Sequence, residues 1–450
     1  MYRCISLILK HNLFILVFLC VFSGNFLNLA FAQPLQSVGI ASSPNPVGSG
    51  ARALGMGGAF IGVADDATAA SWNPGGLIQL ETPEVSIVGA YNKRTEDTDY
   101  VAFPEASGPQ SVSTYEVNYL SAAYPFTLFN RNMIVSLNYQ HLYDFNKKVS
   151  FFTSDKDPPV TMDNWYEFEQ EGALRTISPA FAVQLLPELS LGVTLNFWED
   201  ALYDNEWELK RHQTGSGNFN GIEFFYREEL VETYSLSGFN FNLGALWNIT
   251  SIFTLGAVFK APFSADLKHE YNSSYSWSFP TQPNQNQDGE IIYSEYETLD
   301  MPMSYGLGLA ARLSDALTFA FDIYRTEWGD YVLHTEDGRH LSPVTGISED
   351  ESGIDATTQV RFGGEYLIIG EKAVIPLRAG IFYDPEPAPG SPDDFWGMSI
   401  GSGMAYKGIV YDLAYQYRFG RDVRSAVVGE EETTQDVKQH NLYMSVIYHF

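Results

Sequence analysis

The stretch Ile409-Val-Tyr-Asp-Leu-Ala-Tyr-Gln-Tyr-Arg-Phe419 alternates between two kinds of side chain. Its odd positions are all apolar or aromatic, whereas the even positions from Asp412 to Arg418 are small, polar or charged. A period of two predicts a β-strand whose two faces meet different environments. The last ten residues, Asn441–Phe450, follow the same rule with apolar side chains at the even positions, and an alternating strand that ends on Phe is typical of outer-membrane barrels.

The same alternation recurs along the rest of the chain and predicts a protein made almost entirely of strands. We predict fourteen of them, near residues 84–93, 114–124, 131–151, 164–186, 188–210, 222–248, 251–268, 292–312, 315–328, 356–368, 373–384, 394–407, 409–420 and 437–450.

The links between these strands indicate how the strands are arranged. Links after even-numbered strands are short, as at Pro187 or Gly408, whereas links after odd-numbered strands are long and polar, as at 268–291, 329–355 and 421–436. A soluble β-sandwich would share the alternation but not this regular short-long meander, which is typical of an outer-membrane barrel. The predicted fold class is therefore all-β, a transmembrane antiparallel β-barrel of about fourteen strands over residues 83–450.

Several strands exceed the ~9–11 residues that cross a bilayer, so the barrel should project outward.

Composition excludes two broad classes of protein. The chain carries 26 Lys and Arg against 55 Asp and Glu, a net charge of −29, which would repel nucleic acid. The aromatic content of 15% is far too high for a disordered chain.

The first 32 residues are typical of a cleavable signal peptide. Arg3 and Lys10 precede an apolar run, and Ala30-Phe31-Ala32 offers a cleavage site before Gln33. We therefore expect export to the bacterial outer membrane. Both cysteines, Cys4 and Cys20, lie within this segment, so the mature chain should contain no disulfide and no cysteine metal site.

Residues 48–77, GSGARALGMGGAFIGVADDATAASWNPGGL, are rich in Gly and Ala and are not barrel-like. This segment resembles the N-terminal hatch of the FadL/TodX family of outer-membrane transporters, through its Gly/Arg-rich start, through Asp65 and Asp66, and through Asn73-Pro74-Gly75. Gly75 stands where the family motif has Ala. Arg325-Thr326-Glu327-Trp328 and the stretch from Arg361 to Arg418 extend the resemblance to the rest of the chain.

The resemblance implies a hatch at residues 33–82 that plugs the barrel. It also implies passive uptake of hydrophobic compounds such as long-chain fatty acids, without hydrolysis, and a kink in the wall through which apolar ligand leaves sideways. The predicted third strand, 131–151, contains neither Pro nor Gly to mark such a kink.

The hatch also has a local physical logic. The carboxylate of Asp65 or Asp66 is placed to cap a helical turn over Ala67–Ser71, and Asn73-Pro74 should end it because Pro74 has no N–H. Gly75 and Gly76 should then permit a sharp turn into the first strand.

Strand parity points several charged side chains into the lumen. Among them are Lys260, Arg361, Arg378 and Arg418, together with Asp322, Glu365 and Asp412. Two compatible interpretations remain: mutual pairing in a watery interior, or an arginine that holds a fatty-acid carboxylate beside aromatic side chains. The same parity predicts that Arg costs far less at lumen-facing Ala414 than at lipid-facing Leu413, provided that the lumen has room for it.

Catalytic and metal chemistry is not indicated. No two histidines of the mature chain lie at i, i+3 or i+4, and Ser445 and His449 are too far apart on a strand to touch, which disfavours a zinc site and a serine hydrolase. We expect no cofactor, no metal and no nucleic acid. The expected partners are outer-membrane lipid, lipopolysaccharide and a hydrophobic small molecule.

Three alternatives stay open. The barrel is either a channel, a structural or secretion-system partner in the outer membrane, or, more remotely, a membrane-embedded hydrolase. The acidic loops either bridge to lipopolysaccharide through divalent cations or are simply solvated. We expect a monomer.

Overall fold

The computed structural model describes residues 48–100, 104–156, 160–424 and 433–450. The expected signal peptide at 1–32 and residues 33–47 of the expected hatch lie outside the described residues.

Strands make up most of the described chain. They are β1 (Glu84–Asp99), β2 (Gly108–Leu128), β3 (Arg131–Asp144), β4 (Lys147–Asp155), β5 (Val160–Leu186), β6 (Leu189–Trp198), β7 (Glu206–Phe219), β8 (Ile222–Asn248), β9 (Phe253–Lys260), β10 (Phe263–Ser278), β11 (Gln287–Met301), β12 (Ser304–Ser314), β13 (Leu317–Thr326), β14 (Val332–His334), β15 (His340–Leu341), β16 (Thr357–Ile369), β17 (Val374–Tyr383), β18 (Phe395–Tyr406), β19 (Ile409–Arg424) and β20 (Thr434–His449).

Helical elements are short. They are α1 (Ala51–Gly55), α2 (Ala69–Trp72), α3 (Asp200–Tyr203) and α4 (Glu349–Ser352), with 3-10 turns at Pro74–Gln79, Pro104–Ala106, Pro283–Gln285 and Trp328–Asp330. No helix among the described residues is long and apolar enough to span a bilayer.

All strands pair antiparallel and the sheet closes, because β1 pairs with both β2 and β20. Four crossings of the wall are built from two consecutive strands each (β3 with β4, β6 with β7, β9 with β10, β11 with β12), while β14 and β15 belong to a loop. The described residues thus form a closed barrel of fourteen crossings, and the predicted fold class is confirmed.

The short connections at one end of the barrel are as predicted, but the opposite end also holds a two-residue turn, Asn220-Gly221 between β7 and β8, where a long link was expected. The short turns include Phe129-Asn130 and Lys407-Gly408, where the positive φ angles of both residues match a two-residue hairpin. We call their side of the barrel the turn end and the opposite side the loop end. β10 extends to Ser278 and β11 begins at Gln287, so the predicted link 268–291 is largely strand. β5, with 27 residues, begins at Val160 instead of 164, whereas β8, also with 27 residues, has the predicted bounds.

Two departures from the predicted strands matter for function. The third crossing is not continuous, because Phe145 and Asn146 separate β3 from β4. The link 329–355, expected to be polar, buries Tyr331, Leu333 and Ile354 against the barrel interior.

The outer face carries the apolar side of the alternation. Leu413 is 50% exposed on this face, and Leu442 and Met444 lie beside it on β20. Ala414 points inward and is only 1% exposed, because it packs against Ala51 and Leu54. The condition on which Ala414→Arg would be tolerated, a lumen with room for the side chain, is therefore not met at this point.

We predict that Leu413→Arg lowers the folding free energy in lipid bilayers by about 2–4 kcal/mol, because it places a charge on the lipid face. Asn441→Arg is the matched control, since Asn441 faces inward and borders a cavity. Folding yield in vesicles under a urea titration measures both variants. Equal yields would contradict the assignment of faces.

Candidate functional site

Residues 48–82, which we call the inner segment, lie inside the barrel. The segment contacts inward-facing groups on opposite sides of the wall. Ala51 N donates to Ser445 Oγ at 2.8 Å, Thr194 Oγ1 donates to Ala70 O at 3.0 Å, and Ser121 Oγ donates to Ala67 O at 3.2 Å. Most of its side chains are buried.

A chain of ion pairs ties the inner segment to the wall. Arg52 donates to Asp65 Oδ1 at 2.6 Å and forks onto Glu365 of β16 at 2.9 and 3.1 Å. Arg378 of β17 donates to the same Glu365 at 2.5 Å and to Asp412 of β19 at 2.5 Å. Forked arginine–carboxylate contacts fix geometry as well as charge, so α1 is held at a defined position on the wall.

Backbone groups of the inner segment find partners on the wall as well. Asp322 Oδ2 of β13 accepts from Phe60 N at 2.6 Å and from Ile61 N at 2.8 Å. Asn73 Nδ2 donates to Ile61 O and to Ala245 O of β8, both at 2.9 Å. The segment therefore replaces water as the hydrogen-bond partner of the inner wall.

Glycines in the wall permit this close approach. A Cβ at Gly363 would lie 2.0 Å from Met56 O, and one at Gly380 would lie 2.2 Å from Gly57 N. The backbone of Met56 and Gly57, which directly follows α1, thus lies on β16 and β17.

The predicted hatch residues have distinct roles. Asp66 Oδ1 accepts from Thr68 N at 2.8 Å and stabilises the turn before α2, whereas Asp65 pairs with Arg52. Asn73 is extended and ends α2, as predicted. The turn expected at Gly75 and Gly76 is wrong: both lie in the 3-10 helix Pro74–Gln79, where Gly75 packs against Ala245.

The four predicted lumen cations face inward as expected. Arg361 donates to Gly57 O at 2.9 Å and lies 3.5 Å from Asp384, Arg418 pairs with Asp384 at 3.0 Å, and Arg378 pairs as described above. Lys260 differs from the arginines, because its Nζ lies 5.7 Å from the Tyr324 ring centroid, beside a small cavity lined by both aromatic and amide side chains.

An apolar cluster occupies the loop end of the barrel. Its buried side chains come from the part of the wall between β3 and β11 and from the loop after β13. They include Tyr143, Phe145, Leu174, Trp198, Trp207, Tyr234, Leu236, Leu267, Leu299, Met301, Trp328, Tyr331, Leu333, Leu341 and Ile354. A cavity of ≈50 Å³ beneath it is lined by Tyr143, Trp198, Phe263 and Lys260, among others.

Stacked rings run through the apolar cluster along the inner wall. Phe145 stacks on Trp207 with centroids 4.6 Å apart, Trp207 on Tyr234 at 5.0 Å, and Tyr234 on His269 at 4.2 Å. Such flat surfaces favour planar apolar molecules.

The wall is broken beside Phe145. The β2–β3 ladder ends at the pair Tyr119 and Gln140, and within the described residues no backbone pairing joins 108–118 to 141–155. The gap is bounded above by Gln110, whose side chain exchanges two hydrogen bonds of 2.7 Å with the backbone of Ser150. His141 Nε2 and Glu116 Oε2 face each other across it at 3.0 Å.

A second cavity, of ≈150 Å³, lies directly inside this break. It is lined by Thr114, Glu116, Asn118, His141, Asp144 and Trp72, among others. The cavity therefore lies between the inner segment and the gap in the wall.

Four titratable side chains stand among the rings further toward the loop end, namely Glu232, His269, Glu295 and Glu297. The outward positions of β10 are polar from Ser264 to Ser276, so this part of the wall lies beyond the apolar belt. Burial raises the pKa of Glu297 to about 7, with His269 opposing the shift.

Comparisons with known proteins agree with this architecture. The sequence profile of a family described as outer membrane protein transport protein (OMPP1/FadL/TodX) matches residues 35–445. No match to this chain was found among curated protein sequences.

Solved structures share the fold at low sequence identity. The P. putida toluene transporter TodX is 15% identical with a TM-score of 0.55, covering 90% of this chain and 99% of that one. The Ralstonia pickettii toluene transporter TbuX is 14% identical with a TM-score of 0.51 and the same coverage. A structure described as the CymD monoaromatic hydrocarbon channel is 17% identical with a TM-score of 0.52, covering 90% and 98%.

We predict that Gly363→Val displaces the Met56-Gly57 backbone, just after α1, from the wall, because the new side chain would overlap the Met56 backbone, at a cost of about 1–3 kcal/mol. Conductance in planar bilayers should rise several-fold while the barrel stays folded. Gly89→Val is the control, since the nearest atom to a Cβ there is 3.9 Å away. A Gly363→Val protein that folds yet conducts like the control would show that the segment is not held by this contact.

Proposed function

Because the chain belongs to the family of outer membrane protein transport proteins (OMPP1/FadL/TodX), we propose that it is an outer-membrane channel through which small hydrophobic compounds diffuse inward. The relatives named above are described as toluene or monoaromatic hydrocarbon channels, and we propose apolar single-ring compounds as the first solutes to test.

The observation that carries this proposal is the position of Phe145. Its ring belongs to the apolar cluster, and its backbone lies between β3 and β4, where the wall is broken. Apolar side chains at the loop end therefore reach the edge of the gap at Phe145, and the cavity just inside the gap is lined mainly by polar side chains. A hydrophobic solute that enters the cluster has a route sideways through the gap.

The inner segment supports a sideways route. It fills the lumen below the apolar cluster with buried backbone and ion pairs, which a hydrocarbon would not displace into water. We propose that residues 33–82 act as a hatch, so that water-soluble molecules are held back while apolar ones leave through the wall.

Electrostatics favours a neutral solute. Arg361, Arg378 and Arg418 are each engaged by carboxylates of the wall, and a fatty-acid carboxylate would have to compete with those pairs. Of the four predicted lumen cations, Lys260 is the one that borders the small cavity together with Trp198 and Phe263. It is the residue we expect to matter if fatty acids are also carried.

We predict that Thr114→Trp reduces uptake of radiolabelled toluene at least five-fold, because the indole would fill the cavity inside the gap. Ser113→Trp is the matched control, since Ser113 is the neighbouring outward-facing residue of β2. Uptake is measured in cells of a Gram-negative host that has no hydrocarbon channel of its own and expresses each variant. Wild-type uptake no higher than that of empty cells would contradict the channel itself, whereas equal uptake by both variants would contradict the sideways route.

We predict that Lys260→Met lowers oleate uptake several-fold if fatty acids are substrates, and leaves toluene uptake within two-fold, because only the former needs a cation. The same host cells measure both solutes side by side. Loss of toluene uptake in Lys260→Met would show that Lys260 shapes the path for neutral solutes instead.

A further inference from the structure

We propose that Glu232, His269, Glu295 and Glu297 form a binding site for a divalent transition-metal ion at the loop end of the barrel. These residues come from three adjacent strands: Glu232 from β8, His269 from β10, and the other two from β11. Nothing in the spacing along any one strand indicates this site, since register alone brings the four together. The expectation that the chain holds no metal rested on spacing within single segments.

The geometry divides the four residues into ligands and a supporting carboxylate. One ligand atom each from His269, Glu295 and Glu297 lies within 4.8 Å of the others. His269 Nδ1 is 3.9 Å from Glu297 Oε2, and its other nitrogen, Nε2, is 3.6 Å from Glu232 Oε2. Metal-bound histidines commonly direct the second ring nitrogen toward a carboxylate in this way, which fixes the ring and its tautomer.

Unsatisfied buried atoms point to a missing ligand. His269, Glu232 and Glu297 are 4%, 0% and 8% exposed. Within the described part of the chain, Glu297 Oε2, one of the proposed ligand atoms, has no hydrogen-bond partner, and on the supporting side neither His269 Nε2 nor Glu232 Oε1 has one. A buried carboxylate without a partner is costly, and a cluster of three around one imidazole multiplies the cost unless a cation is shared.

The surroundings hold the supporting residues in place. Tyr234 OH donates to Glu232 Oε2 at 2.8 Å, and the Tyr234 ring stacks on His269 at 4.2 Å with planes 9° apart. Tyr293 meets the other side of His269 edge-on at 6.1 Å. The imidazole therefore cannot turn away from the carboxylates without breaking the ring stack.

The donor set selects the class of ion. Calcium and magnesium prefer all-oxygen sites, whereas one imidazole with carboxylates suits zinc or manganese. Zn²⁺ is the tighter binder of the two in a given site of nitrogen and oxygen ligands, so we choose it as the probe. A bound ion would fasten β10 to β11 beside the stacked rings.

The test uses the full mature chain, purified in detergent, stripped of metal with a chelator and titrated calorimetrically with Zn²⁺ and separately with Ca²⁺. We expect one Zn²⁺ per chain and a rise in the unfolding temperature. Glu297→Gln should weaken Zn²⁺ binding at least ten-fold and abolish that rise. It should not harm folding of the metal-free protein, because it removes a buried charge.

Glu270→Gln is the matched control, since Glu270 follows His269 on β10 but faces outward, with a side chain 52% exposed. It should bind Zn²⁺ within two-fold of wild type. Glu295→Gln replaces Glu297→Gln if circular dichroism shows that the latter is unfolded. The proposal is overturned if wild type binds no stoichiometric Zn²⁺, if it binds Ca²⁺ instead, or if the ligand variant matches the control. None of these results bears on hydrocarbon uptake, which tests the channel separately.

Discussion

A strand in lipid must have every backbone N–H and C=O group paired, because no water is there to replace a missing partner. The closed ladder from β1 round to β20 is the direct consequence, and it explains why so much of the chain consists of strands. Against that constraint the gap between β2 and β4 is the exception. Side chains compensate for it in part. The Gln110 side chain forms hydrogen bonds with the backbone N–H and C=O of Ser150, and Asn118 Nδ2 donates to His141 O at 3.4 Å.

The inner segment obeys the same constraint in a different way. Its backbone is too irregular to satisfy itself, so the wall supplies acceptors and donors such as Asp322, Ser399 and Ser445. Buried ion pairs contribute little net stability by themselves, because desolvation offsets much of the attraction. What the Arg52–Glu365 contact provides is a fixed position, since breaking it would leave a buried charge without a partner.

The barrel can be predicted from the sequence almost completely, whereas the candidate site can be predicted only in part. Alternation revealed every crossing, because each strand has one lipid face, and parity correctly oriented Arg361, Arg378 and Arg418. The break in the wall at Phe145 cannot be predicted from the sequence, because no Pro or Gly marks it. The link 329–355 has the composition of a polar loop, and its buried apolar residues, such as Tyr331 and Leu333, escape prediction because they follow no period. Contacts between strands, including the pairs of each lumen arginine and the group around His269, depend on register and cannot be read from one segment.

The length of β5 and β8 has a consequence for how solutes reach the protein. At about 3.3 Å per residue, 27 residues extend roughly 90 Å, and a tilt of about 40° still leaves some 65–70 Å along the barrel axis. A hydrocarbon core of about 30 Å accounts for less than half of this height. The rim therefore stands well above the lipid headgroups. Under the proposed function, a solute would meet the inner wall of the barrel before it meets the bilayer.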